Sequence, residues 1–278
     1  MDTIKQIINK FDIISKKSLG QNYILDQNIT NKILRKYNLK DKVILEIGPG
    51  PGCLTRSLIN SNVKKVIAIE KDKRCIEALE HQKKDFRRKL VLIYGDILKQ
   101  KTFDNITKEI RKTKKKVMVV ANLPYNIAIH ILSKLLFNRK LFSMFVLMFQ
   151  EEQANRIMAN KETKEYGRIS VYSQWLCNIK KNIHLSPNYF FPKPRVHSTV
   201  LEFKFKEIKK EICNEYFFLE VIKKSFNQRR KTIKNNLKSN KFSIEEILKK
   251  NKIIPTKRPE DLSVNDFINL TNSLYLLK

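Results

Sequence analysis

Five short apolar runs constrain this chain more than any other feature. They are Val43–Ile47, Val66–Glu70, Leu90–Ile93, Val117–Ala121 and Met144–Phe149, and helix-length polar segments separate them. A strand that is apolar along its whole length is buried on both faces, so it needs a layer above it and a layer below. Such strands alternating with helices predict an α/β fold, a doubly wound and mostly parallel sheet. A later run, Thr199–Phe205, has a different pattern: Leu201, Phe203 and Phe205 alternate with Glu202 and Lys204. That period of two predicts a half-covered strand, closing the sheet as an antiparallel edge strand.

Outside these runs the periodicity is helical. Ile4, Ile7, Ile8 and Phe11, then Ile29, Ile33 and Leu34, predict helices within residues 1–40, with Lys17–Ile24 as a loop between them. After Lys206 the pattern is helical throughout: Phe217, Phe218, Val221, Ile222 and Phe226 form one stripe. Ser243 with Glu246, and Ser263 with Asp266, have the spacing of capping boxes. Two domains are expected, residues 1–206 and a small all-α domain over 207–278.

Lys and Arg number 57 against 27 Asp and Glu, a formal charge of +30. A lysine-, isoleucine- and asparagine-rich composition accounts for part of that excess, but its sign still favours a polyanionic partner, nucleic acid first. The densest run, Lys108–Lys116, is expected to be a solvated loop. The four cysteines are scattered and no histidine spacing accompanies them, so neither a disulfide framework nor a metal site is supported. A reducing, cytoplasmic setting fits. No apolar run reaches the roughly 18 residues a membrane span needs.

Glu46-Ile47-Gly48-Pro49-Gly50-Pro51-Gly52 follows the first run and precedes a helix. Glycines there let the backbone approach a ligand. The spacing is not that of the dinucleotide-binding loop, and its prolines remove amides that a pyrophosphate would use, which disfavours an NAD oxidoreductase. Glu70 ends the second run, where a carboxylate can accept ribose hydroxyls. Asp96 follows the third, placed to meet an adenine edge. An adenosine held without phosphates suggests S-adenosylmethionine.

Asn122-Leu123-Pro124-Tyr125 follows the fourth run. The Asn122 side-chain oxygen and the Leu123 carbonyl can accept from an exocyclic amine, and Tyr125 can stack on the base. Phe190, at the head of Phe190–Ser198, can close on the other face. Both are ordinary turn and packing residues when taken singly. Together they describe amine methylation without a strong general base.

These motifs closely resemble the ribosomal RNA adenine dimethyltransferases, most of all the bacterial small-subunit (16S) group. The match runs through Gly20–Ile24, Glu46–Gly52, Glu70, Asp96, Asn122–Asn126, Tyr166–Arg168, Phe190–Ser198 and Phe226–Thr232, in the family's order and spacing. Ile24 stands where the family usually has Leu, and Phe191 adds a second ring beside Phe190. The resemblance implies a class I methyltransferase fold with a helical C-terminal domain. It also implies dimethylation of two adjacent adenosines in the 3′-terminal hairpin of small-subunit rRNA. It assigns Asn22, Ile24, Gly48, Glu70, Asp96 and Asn122 to S-adenosylmethionine, and Asn122, Leu123, Tyr125 and Phe190 to the target adenine. Arg229, Arg230 and Lys231 would contact phosphates while the helical domain docks on the 30S subunit. A monomer and a role in ribosome assembly are expected. A large-subunit rRNA methylase and a DNA adenine methylase are the rivals within the chemistry; an assembly checkpoint that methylates only incidentally is the rival outside it.

Overall fold

The computed structural model describes residues 2–15, 20–86, 88–208, 212–239 and 243–277. The chain begins with α1 (Ile4–Lys10), β1 (Tyr23–Ile24) and α2 (Gln27–Leu34). Strands and helices then alternate: β2 (Val43–Ile47), α3 (Cys53–Asn60), β3 (Lys65–Glu70), α4 (Lys73–Gln82), β4 (Leu90–Tyr94), α5 (Gln100–Lys112), β5 (Val117–Asn122), α6 (Ala128–Phe137) and β6 (Phe142–Gln150). There follow α7 (Glu151–Met158), α8 (Arg168–Leu176), β7 (Cys177–Leu185), β8 (Phe190–Phe191) and β9 (Ser198–Phe205). Four helices end the chain: α9 (Glu215–Ser225), α10 (Ile233–Asn236), α11 (Ile244–Lys250) and α12 (Val264–Tyr275).

All five apolar runs are strands of one seven-stranded sheet, in the order β4-β3-β2-β5-β6-β9-β7. The pairs β4–β3, β3–β2, β2–β5 and β5–β6 are parallel, and β9 lies antiparallel to β6 with Phe203 opposite Phe145. β9 is not the outermost strand, because β7 lies beyond it. β7 leaves little periodic signal: Asn178, Lys180, Lys181 and His184 are exposed along it, as suits an edge that must not pair further. A separate ribbon pairs β1 with β8, setting Tyr23 opposite Phe191 and Ile24 opposite Phe190. Of the expected loop, Lys17–Leu19 fall outside the described residues, while Tyr23 and Ile24 belong to this ribbon.

Chain order reverses between β2 and β5, with β3 to one side of β2 and β5 to the other. This is the switch point at which open α/β sheets bind ligands beyond the strands' C-terminal ends. The basic run Lys108–Lys116 is divided: Lys108–Lys112 is the last part of α5, and Lys114, Lys115 and Lys116 lie in the exposed turn after it, as expected of a loop. Phe103, Ile106 and Ile110 bury one face of that helix, and Arg111 and Lys112 sit at its C-terminus, where the helix dipole favours cations.

Packing divides the chain into two compact units, one of Met1–Ala154 with Lys180–Lys204, the other of Asn155–Ile179 with Phe205–Lys278. A single boundary at residue 206 leaves Asn155–Ile179 out of the helical unit. Long-range aromatic packing places that segment there: Trp175 meets Phe218 edge-on at 4.9 Å and Tyr166 meets Phe226 at 6.1 Å. Within the same unit the Tyr172 hydroxyl donates to Glu215 at 2.8 Å. The cap at Ser263 is reciprocal with Asp266, whereas at Ser243 only the Glu246 amide bond is present. No helix among the described residues is long and apolar enough to cross a membrane.

Candidate active site

The loop after β2 turns on glycines that no other residue would replace easily. Gly50 has φ +56°, and a Cβ there would lie 2.6 Å from the Tyr23 ring. Gly48 also has a strained φ of +67°, but an added Cβ would meet no clash, its nearest neighbour being Pro124 Cδ at an ordinary contact distance of 3.8 Å. One glycine is therefore demanded by packing and strain, and the other leaves backbone accessible to a ligand. The Gly48 amide donates to the Ile69 carbonyl at 2.9 Å, tying the loop to the end of β3.

Glu70 organises that junction. Its Oε2 accepts from the Gly50 amide at 3.0 Å, and its Oε1 accepts from the Lys71 and Asp72 amides at 2.7 and 2.9 Å. A carboxylate offers about four lone-pair directions, so roughly one, on Oε2, is left for a ligand. The residue is only 7% exposed. Burial pushes its carboxyl pKa up, against the three amides, which favour the ionised form.

Asp96, beyond β4, accepts from the Leu98 amide at 2.9 Å and pairs with the Lys71 ammonium at 2.9 Å. Partial burial raises its pKa, but Lys71 and the Leu98 amide outweigh that effect and hold the carboxyl below its usual range. Glu46, on β2, is 1% exposed. Thr55 donates to its Oε2 at 2.7 Å, and its Oε1 is buried without a partner. Burial pushes its pKa to about 8.

Asn122 ends β5. Its Nδ2 donates to the Asn22 carbonyl at 2.7 Å, which fixes the direction of the amide and leaves Oδ1 buried with no partner. Buried polar atoms are nearly always bonded, so an orphan at a cavity wall marks a place for a ligand donor.

One cavity of about 230 Å³ gathers these groups, far more than the roughly 10–15 Å³ that a single water needs. Asn22, Ile24, Gly48, Glu70, Asp96 and Asn122 all line it, and so does Leu123. Every residue predicted for the cofactor is thus brought together. Glu46, Glu70 and Asp96 face the cavity, with Lys71 as the one lining cation among the described residues, in a chain of net charge +30. Asp96 is paired with Lys71 and Glu46 is protonated below about 8, so the lining suits a cationic ligand, which favours ionised carboxyls, better than a phosphate. A sulfonium-bearing adenosine fits this lining, the two orphaned oxygens and the open backbone at Gly48.

The predicted base residues are arranged otherwise. Tyr125 and Phe190 are 6% and 5% exposed and do not line the cavity. The Tyr125 hydroxyl is 2.6 Å from Ser198 Oγ, and Gln153 Nε2 donates to the Tyr125 carbonyl at 2.8 Å. Phe190 is linked to the cofactor side through its pairing with Ile24 and packs in the same apolar cluster, whereas Phe191 is 49% exposed. Successive residues of an extended backbone face opposite ways, which separates the two rings. Arg229, Arg230 and Lys231 are all exposed; the Arg229 guanidinium also donates to the carbonyls of Lys164 and Tyr166. Lys71 and Gln153 carry no functional signal in the sequence, and Ser198 only as the end of the Phe190–Ser198 segment, because each acts through partners distant along the chain.

The doubly wound sheet, its switch-point cavity and the carboxyl-rich lining define an S-adenosylmethionine-dependent methyltransferase of class I. The model of the family described as ribosomal RNA adenine dimethylase matches residues 14–275, and this chain belongs to that family. A protein named ribosomal RNA small subunit methyltransferase A from Wolbachia sp. subsp. Drosophila simulans is 37% identical over 97% of this chain and 97% of its own. One of the same name from Clostridium botulinum is 36% identical over 98% of each. Among solved structures, a dimethyladenosine transferase from Plasmodium falciparum has a TM-score of 0.69 at 26% identity, covering 88% of this chain and 94% of that one. The 23S rRNA methyltransferase ErmE shares the fold, with a TM-score of 0.62 at 18% identity over 91% of this chain and 99% of its own.

Proposed function

We propose that the chain dimethylates the exocyclic amines of two adjacent adenosines in the 3′-terminal hairpin of small-subunit rRNA, with S-adenosylmethionine as donor. The orphaned Asn122 Oδ1 carries this reading: it is a fixed acceptor at the wall of a cofactor cavity, suited to an incoming N–H. The names of the relatives support the small subunit as the target.

Glu70 would hold ribose through its remaining lone pair, and Asp96 the adenine edge. Asn22, Ile24 and Gly48 would frame the ligand, and Glu46 would meet its cationic end. Bound S-adenosylmethionine supplies a methyl group made electrophilic by the sulfonium. An aryl amine is a poor nucleophile because its lone pair is delocalised into the ring. Asn122 Oδ1 and the Leu123 carbonyl would accept hydrogen bonds from its N–H groups and favour a pyramidal nitrogen, which returns that lone pair. Tyr125 and Phe190 would flank the base once it leaves its stack. Placement supplies most of the rate.

Cofactor affinity is expected to depend on pH through Glu46. In the free protein its carboxyl is protonated below about 8. Binding a cation favours the ionised form and expels that proton. Affinity is then full above the free pKa and falls as pH drops below it, by up to about tenfold per unit. Calorimetry across pH 6–9 would measure this in buffers of differing ionisation heat. An unchanged slope in Glu46→Gln would rule out this carboxyl.

The helical unit would dock the chain, as a monomer in the cytoplasm, on the 30S subunit, and contribute to ribosome assembly. Removing Arg230 or Lys231 is expected to lower the salt slope of subunit binding by about 0.7–0.9 each. Arg229→Ala is expected to lower Tm instead, since its guanidinium is bonded within the unit. Equal slopes for all three would refute that distinction. The whole proposal is tested by incubating purified protein with labelled S-adenosylmethionine and unmethylated small subunits. Dimethyladenosine in small-subunit RNA is expected, and label confined to large-subunit RNA would overturn the target.

A further inference from the structure

Tyr125 is held at both ends, by two different parts of the first unit. Its carbonyl accepts from Gln153 Nε2, on α7, at 2.8 Å, and its hydroxyl meets Ser198 Oγ, at the start of β9, at 2.6 Å. Ser198 is fully buried and Tyr125 nearly so, and the intervening Pro124 stiffens the turn. A phenol that needed only to fill space could be phenylalanine; this one is pinned at its far end by a buried hydroxyl. Burial pushes the Tyr125 phenol up, and the bond to Ser198 opposes that only in part, so the group stays neutral and tethered.

The tether matters differently for the two methyl transfers. Each transfer forms a nitrogen–carbon bond as the methyl carbon–sulfur bond breaks. The electron pair stays on sulfur, giving S-adenosylhomocysteine, and one amine proton passes to solvent. In the first transfer the amine has two N–H groups for the two acceptors, Asn122 Oδ1 and the Leu123 carbonyl. Before the second it has one, and its new methyl group must also be accommodated. Half the hydrogen-bond placement is gone, so the ring has to be placed by its aromatic neighbours.

We infer that Ser198 and Gln153 are positioning residues that clamp Tyr125, and that this clamp governs the second methyl transfer more than the first. This rests on the function proposed above, with Tyr125 against the target base.

The experiment compares Ser198→Ala, Tyr125→Phe and their double variant with the unaltered protein on unmethylated small subunits. It reads the monomethyladenosine to dimethyladenosine ratio at limited turnover, and Tm. Each single variant is expected to raise the ratio about three- to tenfold, the worth of one hydrogen bond, and to lower Tm by leaving a buried hydroxyl unpaired. The double variant leaves no orphan, so Tm should recover while the ratio stays high, because the ring is still untethered. Ser198→Thr, which keeps a hydroxyl, should restore the ratio. A ratio that returned with Tm in the double variant would reduce the clamp to a stabilising contact, and single variants with unaltered ratios would overturn it. Failure of the unaltered protein to make dimethyladenosine would instead sink the functional reading itself.

Discussion

Asn122→Ala is expected to lower single-turnover methylation by about a hundredfold or more, with subunit binding retained. Preorganised hydrogen-bonding groups at a reacting centre are worth roughly 10²–10³ in rate when removed. Asn122 is preorganised in that sense, because its Nδ2 is spent on the Asn22 carbonyl and Oδ1 cannot rotate away. The substitution also loosens Asn22, which lines the cavity, so cofactor affinity should fall too, by the few-fold that one neutral hydrogen bond confers. The two losses separate at saturating S-adenosylmethionine: the affinity defect disappears there and the rate defect persists. Recovery of the full rate on adding cofactor would mean that Asn122 serves only the cofactor, and the assignment of amine acceptors would be withdrawn.

Glu70→Ala should be the most damaging change to the protein itself. It strands the amides of Gly50, Lys71 and Asp72, all of which end on one buried carboxylate. Each unsatisfied buried donor costs about 1–3 kcal/mol, and relief of the desolvated charge offsets part of that. A net loss of about 3 kcal/mol lowers Tm by roughly 6–12 °C for a unit of this size. Cofactor binding should fall beyond detection, since the glycine loop loses its anchor together with the ribose acceptor. Glu70→Gln keeps one acceptor oxygen, enough for the Lys71 and Asp72 amides, but turns a donor toward Gly50. It should regain most of the stability and little of the binding. A Glu70→Ala protein that melts and binds normally would show that the loop stands without its carboxylate.

The legible part of this fold is what a local pattern can encode. Five apolar runs announced five strands, and residues at their C-terminal ends, Glu70, Asp96 and Asn122, converge because parallel strands end on one side of a sheet. What stayed hidden depends on partners far along the chain. Asn122 meets Asn22 across 100 residues and Tyr125 meets Ser198 across 73, and neither separation leaves a periodic trace. β7 was missed because an edge strand must carry the charges that make it look unlike a strand. The Asn155–Ile179 segment joins the helices through Trp175 and Tyr166, whose apolar character alone names no destination. The carbonyls that Arg229 meets, on Lys164 and Tyr166, lie 65 and 63 residues away and leave no local trace either.

The carboxyl lining of the cavity has a consequence for what the protein can ignore. Adenosine is common to many small molecules in a cell, most of which carry phosphates. Among the described residues the recess presents Glu46, Glu70 and Asp96 beside Lys71; a sulfonium is favoured there by ionised carboxyls, and a phosphate is opposed by them. The chain as a whole carries +30, which favours an RNA backbone outside the recess, while the carboxyls inside disfavour one, so under the proposed function a neutral base is the part of the polymer suited to approach. Under that reading the contrast between a basic chain and a carboxyl-lined recess helps to sort donor from decoy and base from backbone, beside the contacts that hold each.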